Sequence, residues 1–397
     1  MKPLVWLLSA YRSDSHASWA DWLTRQDSVT WQCLELPGRH FRWRIRGNPL
    51  SWLDTIPELL QSGIPDRILA TSMVDISTLK GLHPALSTVP VSLYFHENQF
   101  AYPQGQGQHS SIDPQMVQLY GALAADECLF NSQFNLDSML AGVSALLAKL
   151  PDEVPASVVE RIAAKSRVLP VPVESVATEM VATDMETIEP VDVETCSTEV
   201  QGQPPVILWN HRWEYDKRPD RFVQMLEHLE QQQVPFRLAL LGPRAENRSS
   251  KTSKQNKRRA DTRAHDPVQS ALASIRARYA DRIAVDGRVS RDDYVAWLRQ
   301  SSVVFGCADH EFQGVSLIEA TSAGAIPVVP DALCYPEQYP ADCRYAPGDM
   351  SAAADVVALA LAGNIAAPDI ASWLTESTAA QWHEWLLACG QAFGARV

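Results

Sequence analysis

Short apolar runs alternate with stretches of helical periodicity through the second half of the chain, and that rhythm leaves few folds open. The runs Val206 to Trp209, Arg237 to Leu241, Arg282 to Val285, Val303 to Gly306 and Ile326 to Val329 are separated by helical patterns over 219–232, 267–280, 291–300 and 315–324. Runs so short and so continuously apolar read as strands buried on both faces, and strands alternating with helices read as βαβ units around a parallel sheet. The first half repeats the theme, with candidate strands at 3–9, 67–71, 90–95 and 127–130. At 397 residues the chain exceeds what one hydrophobic core sustains, so two Rossmann-like α/β domains in tandem are expected, over 1–172 and 205–380. Residues 381–397 form a further helix, whose Trp382, Trp385, Leu386 and Cys389 make one apolar stripe that must pack on something.

Charge excludes one simple class of partner. A formal net charge of −13 repels nucleic acid from the surface as a whole, so any RNA must be held by local basic patches. Two segments depart from the average. Residues 174–203 carry eight acids and no Lys or Arg, which marks 173–204 as a solvated linker. Residues 244–263 carry eight Lys or Arg against two acids, inside a basic insertion over 244–266 that is either a second RNA contact or a solvated loop. Seven cysteines, an odd number with no C-x-x-C pair, suggest neither a zinc site nor a disulfide framework and fit a reducing cytoplasm. The apolar stretch Pro3 to Ala10 is too short for a leader and reads as a first strand. No segment reaches the roughly 18 apolar residues that span a bilayer.

Chemistry-bearing residues gather where the candidate strands end, which is where open parallel sheets bind ligands. After Val303 to Gly306 comes His310-Glu311-Phe312-Gln313-Gly314-Val315-Ser316, then Glu319 about one turn into the next helix. The two glutamates can face one ligand at different depths, and Gly314, Val315 and Ser316 open a helix whose free N–H groups can receive an anion. After Val206 to Trp209, Arg212 and Lys217 offer a guanidinium fork and a point charge suited to a diphosphate. The competing reading has them paired with Glu214 and Asp216. In the first half, His96, Glu97 and Asn98 follow the strand ending at Phe95, and Asn131 and Ser132 follow the one ending at Phe130. A histidine and an acid so placed can orient or deprotonate a hydroxyl.

These motifs carry a resemblance. Arg212-x4-Lys217, Glu311-x7-Glu319 and Ala320-x3-Gly324-x2-Pro327 resemble the retaining GT-B glycosyltransferases of the glycogen synthase and mannosyltransferase superfamily. Tyr94-Phe95-His96-Glu97-Asn98-Gln99, Phe130-Asn131-Ser132, Trp209 with His211-Arg212-Trp213-Glu214, and His310 to Glu319 are similar to the tRNA-queuosine alpha-mannosyltransferase family, over about residues 3–345 outside the two charged insertions. The resemblance implies a GT-B fold with a deep interdomain cleft and a terminal helix that crosses back to the first domain. It implies GDP-mannose as donor, the cyclopentene-diol of queuosine at the wobble position of tRNA-Asp as acceptor, transfer with retention, and neither metal nor cofactor. The lack of any Asp-x-Asp motif agrees with the last point. It places Glu311 near the donor sugar, Glu319 on the ribose hydroxyls and His96 at the reacting centre. Where the family has a glycine pair in its first loop this chain has Ser13-Asp14, while Ser15 and His16 still match. The same fold serves lipid and small-molecule acceptors, and a non-catalytic sugar-nucleotide or RNA-binding protein would share these motifs.

Around Gly38 to Gly47, Arg39, Arg42, Arg44 and Arg46 interleave with His40, Phe41 and Trp43. Arginines grip phosphates and exposed aromatics stack on unpaired bases, a combination suited to an anticodon loop. The alternation equally describes an edge strand with Phe41, Trp43 and Ile45 buried and the arginines wet.

Overall fold

The computed structural model describes residues 2–102, 111–176, 203–242 and 267–394, without the side chains of residues 14, 15 and 390–394. The basic insertion, and all of the acidic linker except its ends, lie outside the described residues. Contacts divide the chain into two compact units, Met1–Pro172 with Thr375–Val397, and Val173–Leu374.

Unit 1 runs β1 (Leu4–Arg12), α1 (Asp14–Thr24), β2 (Thr30–Pro37), α2 (Phe41–Ser51), α3 (Thr55–Leu60), β3 (Arg67–Thr71), α4 (Ile76–Leu82), β4 (Val91–Phe95), α5 (Asp113–Ala124), β5 (Glu127–Phe130), α6 (Gln133–Leu147), α7 (Val158–Ala163) and β6 (Ser166–Val168). Its strands form one parallel sheet in the order β2-β1-β3-β4-β5-β6. The central strands are largely apolar because helices cover both faces: all five residues of β4 are buried, Ser92 being its one small polar residue.

Unit 2 runs β7 (Val206–Trp209), α8 (Pro219–Gln231), β8 (Arg237–Leu240), α9 (Pro267–Arg278), β9 (Ile283–Asp286), α10 (Arg291–Gln300), β10 (Ser301–Phe305), α11 (Val315–Ser322), β11 (Ile326–Pro330), β12 (Arg344–Tyr345) and α12 (Met350–Leu361). The parallel order β12-β11-β10-β7-β8-β9 means that the chain travels outward from β7, then jumps back to β10 and travels the other way. The crevice outside the carboxyl ends of β7 and β10 is therefore the switch point at which such sheets hold ligands.

The terminal helix α13 (Thr375–Gly394) starts earlier than the sequence pattern indicates and belongs to unit 1. Its Trp382 is fully buried, donates to the Pro170 carbonyl at 2.8 Å and meets the rings of Trp19 and Tyr94; Trp385 donates to Glu127 at 2.9 Å.

The edge-strand reading is corrected: residues 41–46 are the N-terminal half of α2, entered through His40 in the left-handed conformation, with Arg39 just before it. Ile45 is buried, whereas Trp43 is 50% exposed and Arg42 and Arg46 face water. Pro49 removes the donor that would satisfy the Ile45 carbonyl. The buried Asn48 amide replaces it, donating to the carbonyls of Arg44 at 2.8 Å, Ile45 at 3.3 Å and Met73 at 3.1 Å. A helix with a glycine and a proline inside it survives because a side chain closes its hydrogen bonds.

Candidate active site

In unit 2 the loops that leave β7 and β10 are tied together before any ligand arrives. The Asp309 amide donates to the Asp216 carbonyl at 2.8 Å, and Arg218 bridges Asp220 at 2.7 Å and Asp309 at 2.9 Å. Inside this frame the buried Lys217 ammonium meets Glu311 at 2.9 Å and donates to the His310 carbonyl at 3.0 Å, with Asp216 at 3.5 Å. Two of its three hydrogens are thus spent within the protein. Burial drives the Glu311 carboxyl up, but the charge and hydrogen bond of Lys217 outweigh it and hold the acid down at about 2. Burial opposes the Lys217 charge in turn, and Glu311 and Asp216 more than restore it, so the ammonium stays protonated above its ordinary range. Burial, helped by Lys217, lowers His211 and His310 to about 4, which leaves both neutral at physiological pH.

Arg212 stands apart. Its side chain is half exposed and lies 3.4 Å from Glu214, so the competing reading of sequence, pairing with the neighbouring acids, is realised for both cations while Lys217 also reaches Glu311. Its charge is still felt at Lys217 and at His310, which keeps it beside the same centre. Gly314 takes the left-handed conformation that aims α11 at this point, and the N–H groups of Val315 and Ser316 open the helix with no preceding turn to donate to.

Glu319 is held by groups that sequence reasoning missed. Arg291 lies 3.2 Å from one carboxylate oxygen and Tyr294 OH 3.3 Å from the other. Asn210 donates to the Ser316 carbonyl at 2.8 Å, which fixes its amide orientation, and then to Tyr294 OH at 3.2 Å. Burial and the Glu319 charge push the Tyr294 phenol well up, so it keeps its proton and donates it to Glu319. The available signal was the i, i+3 spacing of Arg291 and Tyr294, which puts both on one face of α10. A second missed residue is Gly242. A β-carbon there would lie 1.6 Å from the His211 carbonyl oxygen, so the chain leaving β8 passes directly against the loop that carries Arg212.

In unit 1, His16 in α1 and His96 after β4 stack with ring centroids 4.1 Å apart, and Trp19 and Tyr94 close on His96 edge-on at 4.6 and 4.7 Å. The His16 Nδ1 donates to the Tyr11 carbonyl at 2.9 Å. Burial, then the neighbouring His16, lower His96 well below its ordinary value, and its buried Nε2 has no hydrogen-bond partner among the described residues. The polar residues beside it are spent on scaffolding. Asn98 is fully buried, donating to Asn135 and Ser138 and accepting from the amides of Phe100 and Ala101. Asn131 holds the His96 carbonyl at 2.9 Å, and Ser132 caps α6 through the Asn135 amide. Glu97 remains half-buried at the strand end. Ser15 lies in the first turn of α1, and Ser13 precedes that helix with φ −83°, an ordinary extended conformation that requires no glycine.

Comparison with known proteins agrees with this geometry. The family model described as "tRNA-queuosine alpha-mannosyltransferase N-terminal" matches residues 4–173, and that of "Glycosyl transferases group 1" matches residues 196–367. The tRNA-queuosine alpha-mannosyltransferase of Drosophila melanogaster is 29% identical over 350 residues, 87% of this chain and 84% of the relative. The chain is similar to tRNA-queuosine alpha-mannosyltransferases, through residues 4–173 to the family model and over 87% of its length to the Drosophila protein. It is a glycosyltransferase of the GT-B fold class. A trehalose-phosphate synthase from Burkholderia xenovorans (TM-score 0.64, 14% identity, 98% of each chain) and a sucrose-phosphate synthase from Thermosynechococcus elongatus (TM-score 0.63, 14% identity, 99% of each chain) share the fold. Among the described residues no helix is long and apolar enough to cross a membrane.

Proposed function

We propose that this chain transfers mannose, with retention, from GDP-mannose to the cyclopentene-diol of queuosine at the wobble position of tRNA-Asp, in the cytoplasm and without a metal or cofactor. The observation that carries the proposal is the switch-point cluster of unit 2, in which Lys217, Glu311, Arg212 and the opening turn of α11 gather at one sheet edge. Fixed positive charge and helix N–H groups stabilise a departing diphosphate where no metal does. Arg212, the remaining Lys217 hydrogen and the amides of Gly314, Val315 and Ser316 hold that diphosphate, Glu319 takes the ribose hydroxyls, and Glu311 faces the sugar. Retention follows if the C1–oxygen bond to the diphosphate breaks and the acceptor oxygen bonds C1 on the same face, its proton passing to the departing diphosphate oxygen. At the carboxyl edge of unit 1, neutral His96 with Glu97 and His16 receives the diol, while Asn98, Asn131 and Ser132 hold that loop in place.

The test is mass spectrometry of nucleosides after incubating the protein with queuosine-containing tRNA and GDP-mannose. A hexose on queuosine is expected. An unchanged nucleoside, with sugar delivered instead to a lipid or a small polyol in the absence of RNA, overturns the acceptor. Binding of both substrates with no product marks a non-catalytic protein.

A further inference from the structure

We infer that the water-facing side of α2 is where the tRNA docks, with the Trp43 indole as a stacking platform for an unpaired base and Arg39 and Arg42 as phosphate contacts; this rests on the acceptor reading above. The helix puts Arg42, Trp43, Arg46 and Leu50 at spacings of three and four, on one exposed face, with Arg39 just before it. The indole does not wave in solvent. A β-carbon at Gly47, one turn on, would lie 2.6–2.7 Å from three atoms of the Trp43 ring, so the ring rests against bare backbone. One face is thereby covered and the side chain is left half exposed.

The charges around this platform are available. Among the described residues the exposed Arg39 and Arg42 have no carboxylate partner, in a protein of net charge −13 that should otherwise repel a polyanion. Arg46 serves as the anchor, meeting the buried Asp75 at 2.9 Å, and Asn48 receives the Asp75 amide at 3.1 Å. Both tie α2 to the turn after β3. The platform is consequently held before RNA arrives, which spares part of the ordering cost of binding. It also starts where β2 ends, and in a parallel sheet that is the edge which carries His16 and His96. Guanidinium groups around a flat exposed ring match single-stranded nucleic acid, where backbone charge and base stacking act together.

The experiment measures binding of queuosine-containing tRNA by filter retention over a range of salt, for full-length protein and for Trp43→Ala, Trp43→Phe, Gly47→Ala and the double change Arg39→Gln with Arg42→Gln. Gly47→Ala is the decisive variant, because alanine favours the helix while its methyl displaces the indole. It should keep or raise the melting temperature and still weaken tRNA binding about ten-fold, as should Trp43→Ala; Trp43→Phe should retain most of the affinity. The double arginine change should lower the slope of log affinity against log salt by about 1.4. Calorimetry should find GDP-mannose affinity unaltered in all four. Unchanged tRNA affinity in Trp43→Ala and Gly47→Ala, with wild-type protein still modifying the tRNA, overturns the docking surface and leaves the acceptor reading standing. A wild-type protein that forms no product on this tRNA overturns the acceptor reading itself. Retention of tRNA by every variant, with loss only of binding to anionic lipid vesicles, assigns the face to a membrane and overturns the inference.

Discussion

Replacing Lys217 by methionine isolates the most charged contact in unit 2. The Lys217 side chain is 9% exposed and that of Glu311 20%, so neither is well solvated on its own. With Lys217 present, Glu311 titrates at about 2 instead of 4.5; at roughly 1.4 kcal/mol per pH unit, its pairing contributes about 3 kcal/mol to folding at neutral pH. A carboxyl whose folded value is depressed contributes fully above its unfolded value and loses the contribution as pH falls, here between 4.5 and about 2. Methionine keeps the aliphatic stem and removes the charge, which leaves Glu311 to burial alone, and burial raises it. Asp216 loses a cation at 3.5 Å as well. Removing one member of a buried pair costs on the order of 3–5 kcal/mol. For a unit of this size about 3 kcal/mol lowers the melting temperature by roughly 6–12 °C. Differential scanning calorimetry of the full chain at pH 7.5 should show that loss for Lys217→Met, and much of it should return in Lys217→Met with Glu311→Gln, where no uncompensated carboxylate remains at 311. The single variant should also gain stability as pH is lowered toward 5, because Glu311 can then protonate. A double variant no more stable than the single one, with no gain on acidification, would refute the electrostatic account and leave packing as the cause.

The remaining predictions concern the supports. Tyr294→Phe removes the proton donated to Glu319 and should raise KM for the proposed donor, GDP-mannose, several-fold with kcat little altered; an unchanged KM in steady-state assays rejects the relay. Gly242→Ala places a methyl inside the His211 carbonyl and should cost more than about 3 kcal/mol or prevent soluble expression, since backbone on both sides must move. His211 and His310 fall from 6.5 to about 4 on folding, so the unfolded chain binds more protons in that window and stability should rise with pH across it. A melting temperature flat from pH 4.5 to 6.5 contradicts this. Trp382→Ala should cost roughly 3–5 kcal/mol, as for other large aromatics cut from a core, read as a lowered unfolding midpoint in guanidinium.

Strand ends were legible because central strands of a parallel sheet are buried on both faces and announce themselves as apolar runs; ligand-facing residues then fall just beyond them. What escaped was whatever lacked that signature. β2 is half-exposed at most positions and β6 has only three residues, so neither contains a continuous apolar run. α2 was misread because Phe41, Trp43 and Ile45 alternate and because Gly47 and Pro49 argue against a helix. Its stability comes from Asn48 bonds to Met73 and Asp75, 25 and 27 residues away, which no local pattern encodes. In the site, residue types were visible and their partners were not. Asn98, Asn131 and Ser132 look like ligand groups in the sequence, and folding spends them on carbonyls and amides that only tertiary structure brings near.

The pairing of Lys217 with Glu311 resolves a conflict built into the proposed reaction. The proposed reaction sets the Glu311 carboxylate beside the sugar and a diphosphate leaving from near it, and two anions so close repel strongly once water is excluded. A buried lysine paired with the glutamate lets that carboxylate stay ionised and offsets its charge at the centre. In the proposed reaction the phosphate charge is then met chiefly by Arg212, which is half exposed and lies 3.4 Å from Glu214, and by the opening amides of α11. The division of labour is physical: the buried cation stabilises the protein's own acid, and in the proposed reaction the half-exposed cation faces the leaving group.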